Sequence, residues 1–488
     1  MSAPRSFGLR DADLLRHQPY INGAWASGDG IPLEVTNPAT GEILGSVETI
    51  TPESVAHAVA AAEVAFPAWR ARPAQERGAL LEKWHDLILQ HADDLARIMT
   101  LEQGKPLDEA RGEVQSGAAF AKWFAEEGQR VYGEIVPSPA NDRRLLVFRE
   151  AVGVCAAITP WNFPSSMIVR KAAPALAAGC PLILKPAETT PFSALALAEL
   201  ARRAGFPPGV FNVVLGDPAK IGKVFTGHPA IRKISFTGST RVGRLLLAEA
   251  AQQVQKVTLE LGGNAPFIVF EDADLDAAVA GAIAAKFRNA GQVCVAVNRI
   301  LAHASLFDRF VERFAAAAAA LKVGNGLEAD VRFGPLITQP SLDRITALVA
   351  DAVAGGARIV TGGKPHALGG LFYEPTVLTH AAPDARVLRE EIFGPLVTIQ
   401  PFADDAEAIR IANDTEYGLA SYFYTRDLGR LFRISGALQF GMVAVNTPVI
   451  ASAASPFGGI KASGLGREGS RHGILDYLEL KTVWVAGL

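Results

Sequence analysis

Residues 231–263 read IRKISFTGSTRVGRLLLAEAAQQVQKVTLELGG, and this stretch decides the fold. The apolar run Ile231 to Phe236 has strand character, Gly238-Ser239 turns the chain, a helical period runs from about Thr240 to Ala250, and a second strand spans Lys256 to Leu261. A strand, a helix and a strand in so short a span form a βαβ unit with parallel strands and the helix on one face. The alternation extends backwards through Val152 to Ile158, Leu182-Ile183-Leu184, a helix from Thr190-Pro191 to Gly205, and Phe211 to Leu215. It extends forwards from Pro266 to about Thr447, with helices near 273–287, 305–321 and 338–354, and Gly262-Gly263-Asn264 marks the boundary. The fold class is therefore α/β, with two Rossmann-like parallel-sheet domains. Such sheets bind ligands beyond the carboxyl ends of their strands.

Before the first alternating block the chain is mainly helical. Thr51-Pro52-Glu53 opens one helix, and a second helical region runs from about Ala74 to Thr100. Arg130 to Val136 and Arg143 to Arg149 read as a hairpin, with a further strand at Lys481 to Val485. We expect 1–127 with 147–261 to form the first domain, 262–459 the second, and 128–146 with 478–488 a protruding β element. Its edges suit pairing with another subunit, which implies a homodimer or homotetramer.

The 488 residues carry 47 basic and 50 acidic side chains, a net charge of -3, so no whole-chain field recruits nucleic acid or anionic lipid. Met1 to Gly30, with Arg5, Arg10 and Arg16, lacks the apolar core of a signal peptide, and Ala172 to Leu184 is too short to cross a membrane. The expectation is a cytoplasmic protein. Cys155, Cys180 and Cys294 form neither a disulfide scaffold nor a metal site, and the nine histidines show no zinc-ligand spacing, so no metal is expected.

Two glycine motifs mislead. Gly464 to Gly469 fits Gly-x-Gly-x-x-Gly but lies too near the end for a βαβ unit, and Gly238 to Gly243 is followed by Arg244-Leu245 where a phosphate loop needs Lys and Ser or Thr. At Gly238-Ser239 the residues permit either a plain turn or a pyrophosphate seat on the free N–H groups of the next helix. Cys294 lies in a glycine-containing turn, which fits a small buried hydrophobe or a nucleophile. Glu260 ends an apolar strand, as either a general base or a structural partner.

Six blocks, in order, settle these alternatives: Thr159-Pro160-Trp161-Asn162-Phe163-Pro164, Lys185-Pro186-Ala187-Glu188, Phe236-Thr237-Gly238-Ser239, Glu260-Leu261-Gly262-Gly263-Asn264, Gly291-Gln292-Val293-Cys294 and Glu391-Ile392-Phe393-Gly394-Pro395. Together they make the chain resemble the aldehyde dehydrogenase superfamily over essentially its whole length. The resemblance implies that Cys294 is the nucleophile, that Asn162 with the Cys294 N–H stabilises the oxyanion, and that Glu260 activates the hydrolytic water. It assigns Thr159, Pro160, Trp161, Lys185, Glu188, Gly238, Ser239, Leu261, Glu391 and Phe393 to a nicotinamide dinucleotide bound by the first domain. Glu188, a carboxylate that repels a 2′-phosphate, favours NAD and makes NADP the less favoured cofactor. Lys171 and Glu468 match positions proposed as a proton relay.

Within the superfamily the chain is similar to succinate-semialdehyde and related semialdehyde dehydrogenases, through Val169-Arg170-Lys171, Lys286 to Gly291 and Pro456 to Gly464. This likeness implies that Arg170 and Arg288 clamp a substrate carboxylate; the alternative is that they are structural ion-pair arginines. Ala451 stands where that group usually has a carboxylate-binding serine, and Ser452 or Ser455 can substitute. Succinate semialdehyde is the leading substrate, with glutarate or 2-oxoglutarate semialdehyde, or a broad range of aldehydes, as alternatives. A coenzyme A-acylating enzyme conflicts with Glu260, and a non-catalytic protein retaining the fold conflicts with the full residue set.

Overall fold

The computed structural model describes residues 7–487, so Arg5 lies outside the described residues. The alternating blocks form two sheets. The first runs in the order Gly464–Leu465, Lys256–Glu260, Ile231–Thr237, Val154–Ile158, Leu182–Lys185, Phe211–Val213, Tyr20–Ile21, Ala24–Trp25. Its five inner strands are parallel, and antiparallel pairing at Gly464–Leu465 and Tyr20–Ile21 flanks them. The second sheet has seven strands, parallel except for Arg358–Thr361 at its edge. Among the described residues no helix is long and apolar enough to cross a membrane.

Local chemistry explains the elements that place the site. The helix Thr240–Ala250 starts where expected because Ser239 caps it, its hydroxyl accepting the Val242 N–H at 3.4 Å. The inner strands are apolar on both sides because helices cover both faces; Val154, Cys155, Ala156 and Ala157 are all buried. The single helix expected from Ala74 to Thr100 is two, Ala74–Gln90 and Ala92–Gln103, broken at His91, whose ψ of 18° is not helical. A third, Leu107–Glu127, follows Pro106 and packs on Ser166–Ala178. Phe120 and Phe124 are buried along it.

The hairpin is present as Glu134–Val136 against Arg143–Ala151, and Leu478–Ala486 pairs antiparallel along the whole of the longer strand. This three-stranded sheet is separate from the other two. Ile135, Leu480 and Trp484 on it are exposed.

Four of the quoted blocks follow the carboxyl ends of neighbouring parallel strands of the first sheet: 159–164, 185–188, 237–239 and 260–264. Cys294 and Glu391 instead precede strands of the second sheet, Val297–His303 and Leu396–Phe402. The carboxyl edge of one sheet therefore meets the amino edge of the other, and Gly262-Gly263-Asn264 crosses between them.

Gly464 keeps that edge in register. It pairs with Glu260 at φ 136°, and a Cβ there would run into the Leu259 carbonyl oxygen. Gly464→Ala is expected to cost about 2–3 kcal/mol of stability. Urea unfolding measures it, and an unchanged midpoint would contradict the close approach.

Candidate active site

Cys294 sits half-buried where two cavities meet, one of about 420 Å³ and one of about 230 Å³. Its loop is pinned on several sides. The Asn162 side-chain Nδ2 donates to Gln292 O at 2.9 Å, Tyr422 Oη donates to Val295 O at 3.0 Å, and the Ile337 N–H donates to Gln292 Oε1 at 3.0 Å. Burial pushes the Cys294 thiol up to about 12; Arg170 opposes that shift and the Glu260 carboxyl adds to it. The free thiol is thus held protonated at neutral pH, and a nearby proton acceptor is required before it can attack.

Glu260 is 2 % exposed, and neither carboxylate oxygen has a hydrogen-bond partner among the described residues. Desolvation, and then the charge on Glu468, raise its pKa well above the ordinary glutamate value. Glu468 is equally buried but has cations against it. Lys171 Nζ donates to Oε1, Arg170 Nε lies 2.7 Å from Oε2, and the Ser235 hydroxyl donates to Oε1 at 3.3 Å. Burial alone would raise Glu468; Lys171 and Arg170 overcome it and hold the carboxyl at about 2. Two neighbouring glutamates are thereby split, one an anion and the other inclined to keep its proton.

The larger cavity is lined by Arg170, Arg288, Phe163, Phe457, Ala451 and Ser452. Arg170 is not free in the way the paired-arginine expectation assumed, because its Nε side is committed to Glu468 and its guanidinium lies 4.3 Å over the Phe457 ring. Its Nε and Nη2 are buried and have no hydrogen-bond partner among the described residues, so the contact with Glu468 is an ion pair. Arg288 is exposed to the cavity, 5.2 Å over Phe163, with no carboxylate of the described residues in ion-pair contact. The Ser452 hydroxyl is interlocked with Ser455, at 3.2 Å between the two oxygens.

Pro160, Trp161, Asn162, Gly238, Ser239, Leu261, Glu391 and Phe393 line the smaller cavity. Trp161 and Phe393 meet edge-to-face at 5.6 Å, and Glu391 accepts the Gly263 N–H at 2.9 Å, with burial pushing its carboxyl up to about 7. Thr159, Lys185 and Glu188 lie outside those walls. Lys185 Nζ is paired with Glu188, and Thr159 N donates to Lys185 O at 3.1 Å. The donor set fits a dinucleotide: aromatic edges, a carboxylate for hydroxyls and a helix N-terminus, with space at Gly238 that a Cβ could not enter without striking the Phe236 ring. Among the described residues no cluster of three or more His, Cys, Asp or Glu is arranged to hold a metal ion.

Several contributors carry no signal of their own in the sequence. Lys105 is fully buried, pairs with Glu113 and donates to Asn162 O at 2.8 Å. Glu113 in turn accepts the Ser165 and Ser166 N–H groups at 2.9 and 3.1 Å. Asn289, whose Nδ2 donates to Asn162 O at 3.0 Å, is a further helper and lies within the quoted segment Lys286 to Gly291.

The thiol's elevation is testable. A pKa near 12 leaves a thiolate fraction that grows about tenfold per pH unit, so Cys294 alkylation by iodoacetamide is expected to accelerate steadily from pH 7 to 10, with Cys155 and Cys180 unreacted because they are buried. A rate that levels off below pH 9, read by peptide mapping, would contradict it.

Comparison with known proteins agrees with this geometry. The aldehyde dehydrogenase family model matches residues 25–483. Glutarate-semialdehyde dehydrogenase of Pseudomonas aeruginosa is 55% identical over 481 residues, covering 98% of this chain and 100% of the relative. Succinate-semialdehyde dehydrogenase [NADP(+)] of Escherichia coli is 55% identical over 474 residues, covering 97% and 98%. The crystal structure of succinate-semialdehyde dehydrogenase from Burkholderia pseudomallei superposes with a TM-score of 0.97 at 55% identity, covering 98% and 99%. The family model spans most of the chain and the likeness to these relatives runs its full length, and the chain belongs to the aldehyde dehydrogenase family.

Proposed function

We propose that this protein oxidises a short aldehyde bearing a carboxylate to the corresponding acid, with succinate semialdehyde as the leading substrate. The supporting observation is a thiol on the wall of a cavity that Arg288 and Arg170 also line. Glu260 in its ionised form takes the thiol proton of Cys294, the thiolate adds to the aldehyde carbon, and the resulting oxyanion accepts hydrogen bonds from the Cys294 N–H and the Asn162 amide. Trp161, Ser239, Glu391 and Phe393 would hold a nicotinamide dinucleotide, which would supply the hydride acceptor, and loss of hydride from the adduct would leave a thioester on Cys294. Glu260, whose raised pKa makes it a stronger base than an ordinary carboxylate, takes a proton from water attacking that thioester, and the acid departs. Glu468, Lys171 and Ser235 form a buried path by which that proton can be passed on.

Substrate identity turns on the far end of the cavity. Relatives at similar identity are named for glutarate and succinate semialdehyde. Ala451 offers no hydroxyl and Ser452 is occupied with Ser455, so the two arginines carry the carboxylate here, and a five-carbon semialdehyde remains the second reading. NAD is preferred to NADP because the Glu188 carboxylate suits ribose hydroxyls, although Lys185 offsets part of its charge. The dinucleotide belongs to 1–127 with 147–261, catalysis to 262–459, and assembly to 128–146 with 478–488. The three free thiols suit the reducing cytoplasm.

Arg288 gives the cleaner test, since Arg170 also supports Glu468. Arg288→Ala is expected to lower kcat/KM for carboxylated semialdehydes 10- to 100-fold, on the order of the 1.5–3 kcal/mol of a hydrogen bond to a charged group, and to leave unsubstituted aldehydes within about twofold. A kinetic panel with both cofactors decides it. Equal losses on both aldehyde classes would contradict the carboxylate reading, and equal kcat/KM with NAD and NADP would contradict the cofactor preference.

The exposed apolar side chains of the three-stranded sheet support a homodimer or homotetramer. Light scattering at micromolar concentration is expected to give a dimeric or tetrameric mass; a monomer would contradict it.

A further inference from the structure

The chain leaves the helix before Cys294 through three successive residues in left-handed backbone, Asn289 at φ 50°, Ala290 at φ 54° and Gly291 at φ 74°. Glycine adopts this freely, but an asparagine and an alanine each lose on the order of 1 kcal/mol, so other contacts must hold the turn. Asn289 supplies them with every polar atom it has. Its backbone N–H donates to Glu109 Oε2 at 2.8 Å, and its Oδ1 accepts from Gln103 Nε2 at 3.0 Å. Its carbonyl accepts the Gln292 backbone and side-chain N–H groups at 3.0 and 3.1 Å.

The side-chain Nδ2 of Asn289 makes the connection that matters for chemistry. It donates to Asn162 O at 3.0 Å and lies 3.5 Å from Gln292 O, the same carbonyl that accepts the Asn162 amide at 2.9 Å. Two amides, 127 residues apart in sequence, thus close on one carbonyl two residues before the nucleophile. Asn289 is 2 % exposed and lines neither cavity, so it meets neither substrate nor cofactor.

We propose that Asn289 is a positioning residue that fixes the separation of the Asn162 amide and the Cys294 sulfur, so that the oxyanion hole is assembled before an aldehyde arrives. The proposal rests on the reading of Asn162 as an oxyanion donor. Only a neutral amide meets the requirement, because one end must donate to Asn162 O while the other accepts from Gln103. An aspartate would set a negative oxygen against two carbonyls, and an alanine would leave buried polar groups unpaired. Positioning matters because an oxyanion donor acts only when aimed at the oxygen as charge develops, and removing one typically slows catalysis 10²- to 10³-fold.

Asn289→Gly keeps the left-handed turn accessible and removes the amide. It is expected to lower kcat at least tenfold, with the aldehyde KM and cofactor affinity within about twofold and the Cys294 alkylation rate unchanged. The decisive readout is a double-mutant cycle with Asn162→Ala. If Asn289 acts through Asn162, the double variant is no slower than Asn162→Ala alone. Multiplicative losses, a KM effect with normal kcat, or slowed alkylation would overturn the proposal, and Asn289→Asp carries the same cycle if the glycine variant does not fold. Wild-type kcat in Asn162→Ala would instead overturn the oxyanion reading itself, so the two failures are distinguishable.

Discussion

A buried carboxylate held by two cations organises this site. Glu468 is 5 % exposed and has Arg170 and Lys171 on its two oxygens. Removing the Glu468 carboxylate would leave two buried cations, Arg170 and Lys171, without their partner, a loss that typically costs about 3–5 kcal/mol. The arrangement also accounts for neighbouring chemistry. A fixed negative charge beside Glu260 discourages a second one, which adds to desolvation in raising that carboxyl, and Arg170, which neutralises Glu468, also lines the larger cavity.

The fold makes such a cluster possible by bringing distant segments to one edge. Arg170 and Lys171 come from the helix after the Val154–Ile158 strand, Ser235 from an inner strand of the same sheet, and Glu468 from a segment just beyond the edge strand Gly464–Leu465. Glu260 enters because its strand pairs with that edge strand. The sheet edge therefore sets both the register of Glu260 and the charge that tunes it. Cys294 reaches the same place from the loop before the Val297–His303 strand of the second sheet, held by the Asn162 and Asn289 amides.

What could be read from the chain follows physical range. The helix Thr240–Ala250 and the strands around it were legible because period and capping are local, and the blocks at strand ends were legible because glycines and aromatics cluster there. His91 broke an apparently continuous helix without a glycine or proline to announce it. The Gly464 to Gly469 segment reads as too close to the end for a βαβ unit, yet its edge-strand role depends on pairing with Lys256–Glu260, some two hundred residues earlier. Arg170 is the instructive case: its presence at the cavity was anticipated, but its bond to Glu468, 298 residues on, exists only in the folded chain.

The central claim is that Glu260, kept basic by burial and by Glu468, releases a thioester from Cys294. Intact-protein mass spectrometry of Glu260→Gln after mixing with NAD and succinate semialdehyde tests it most directly. The account predicts that an acyl adduct accumulates on Cys294, accompanied by about one equivalent of NADH per site. Free succinate released at the wild-type rate, with no adduct on Cys294, would contradict it.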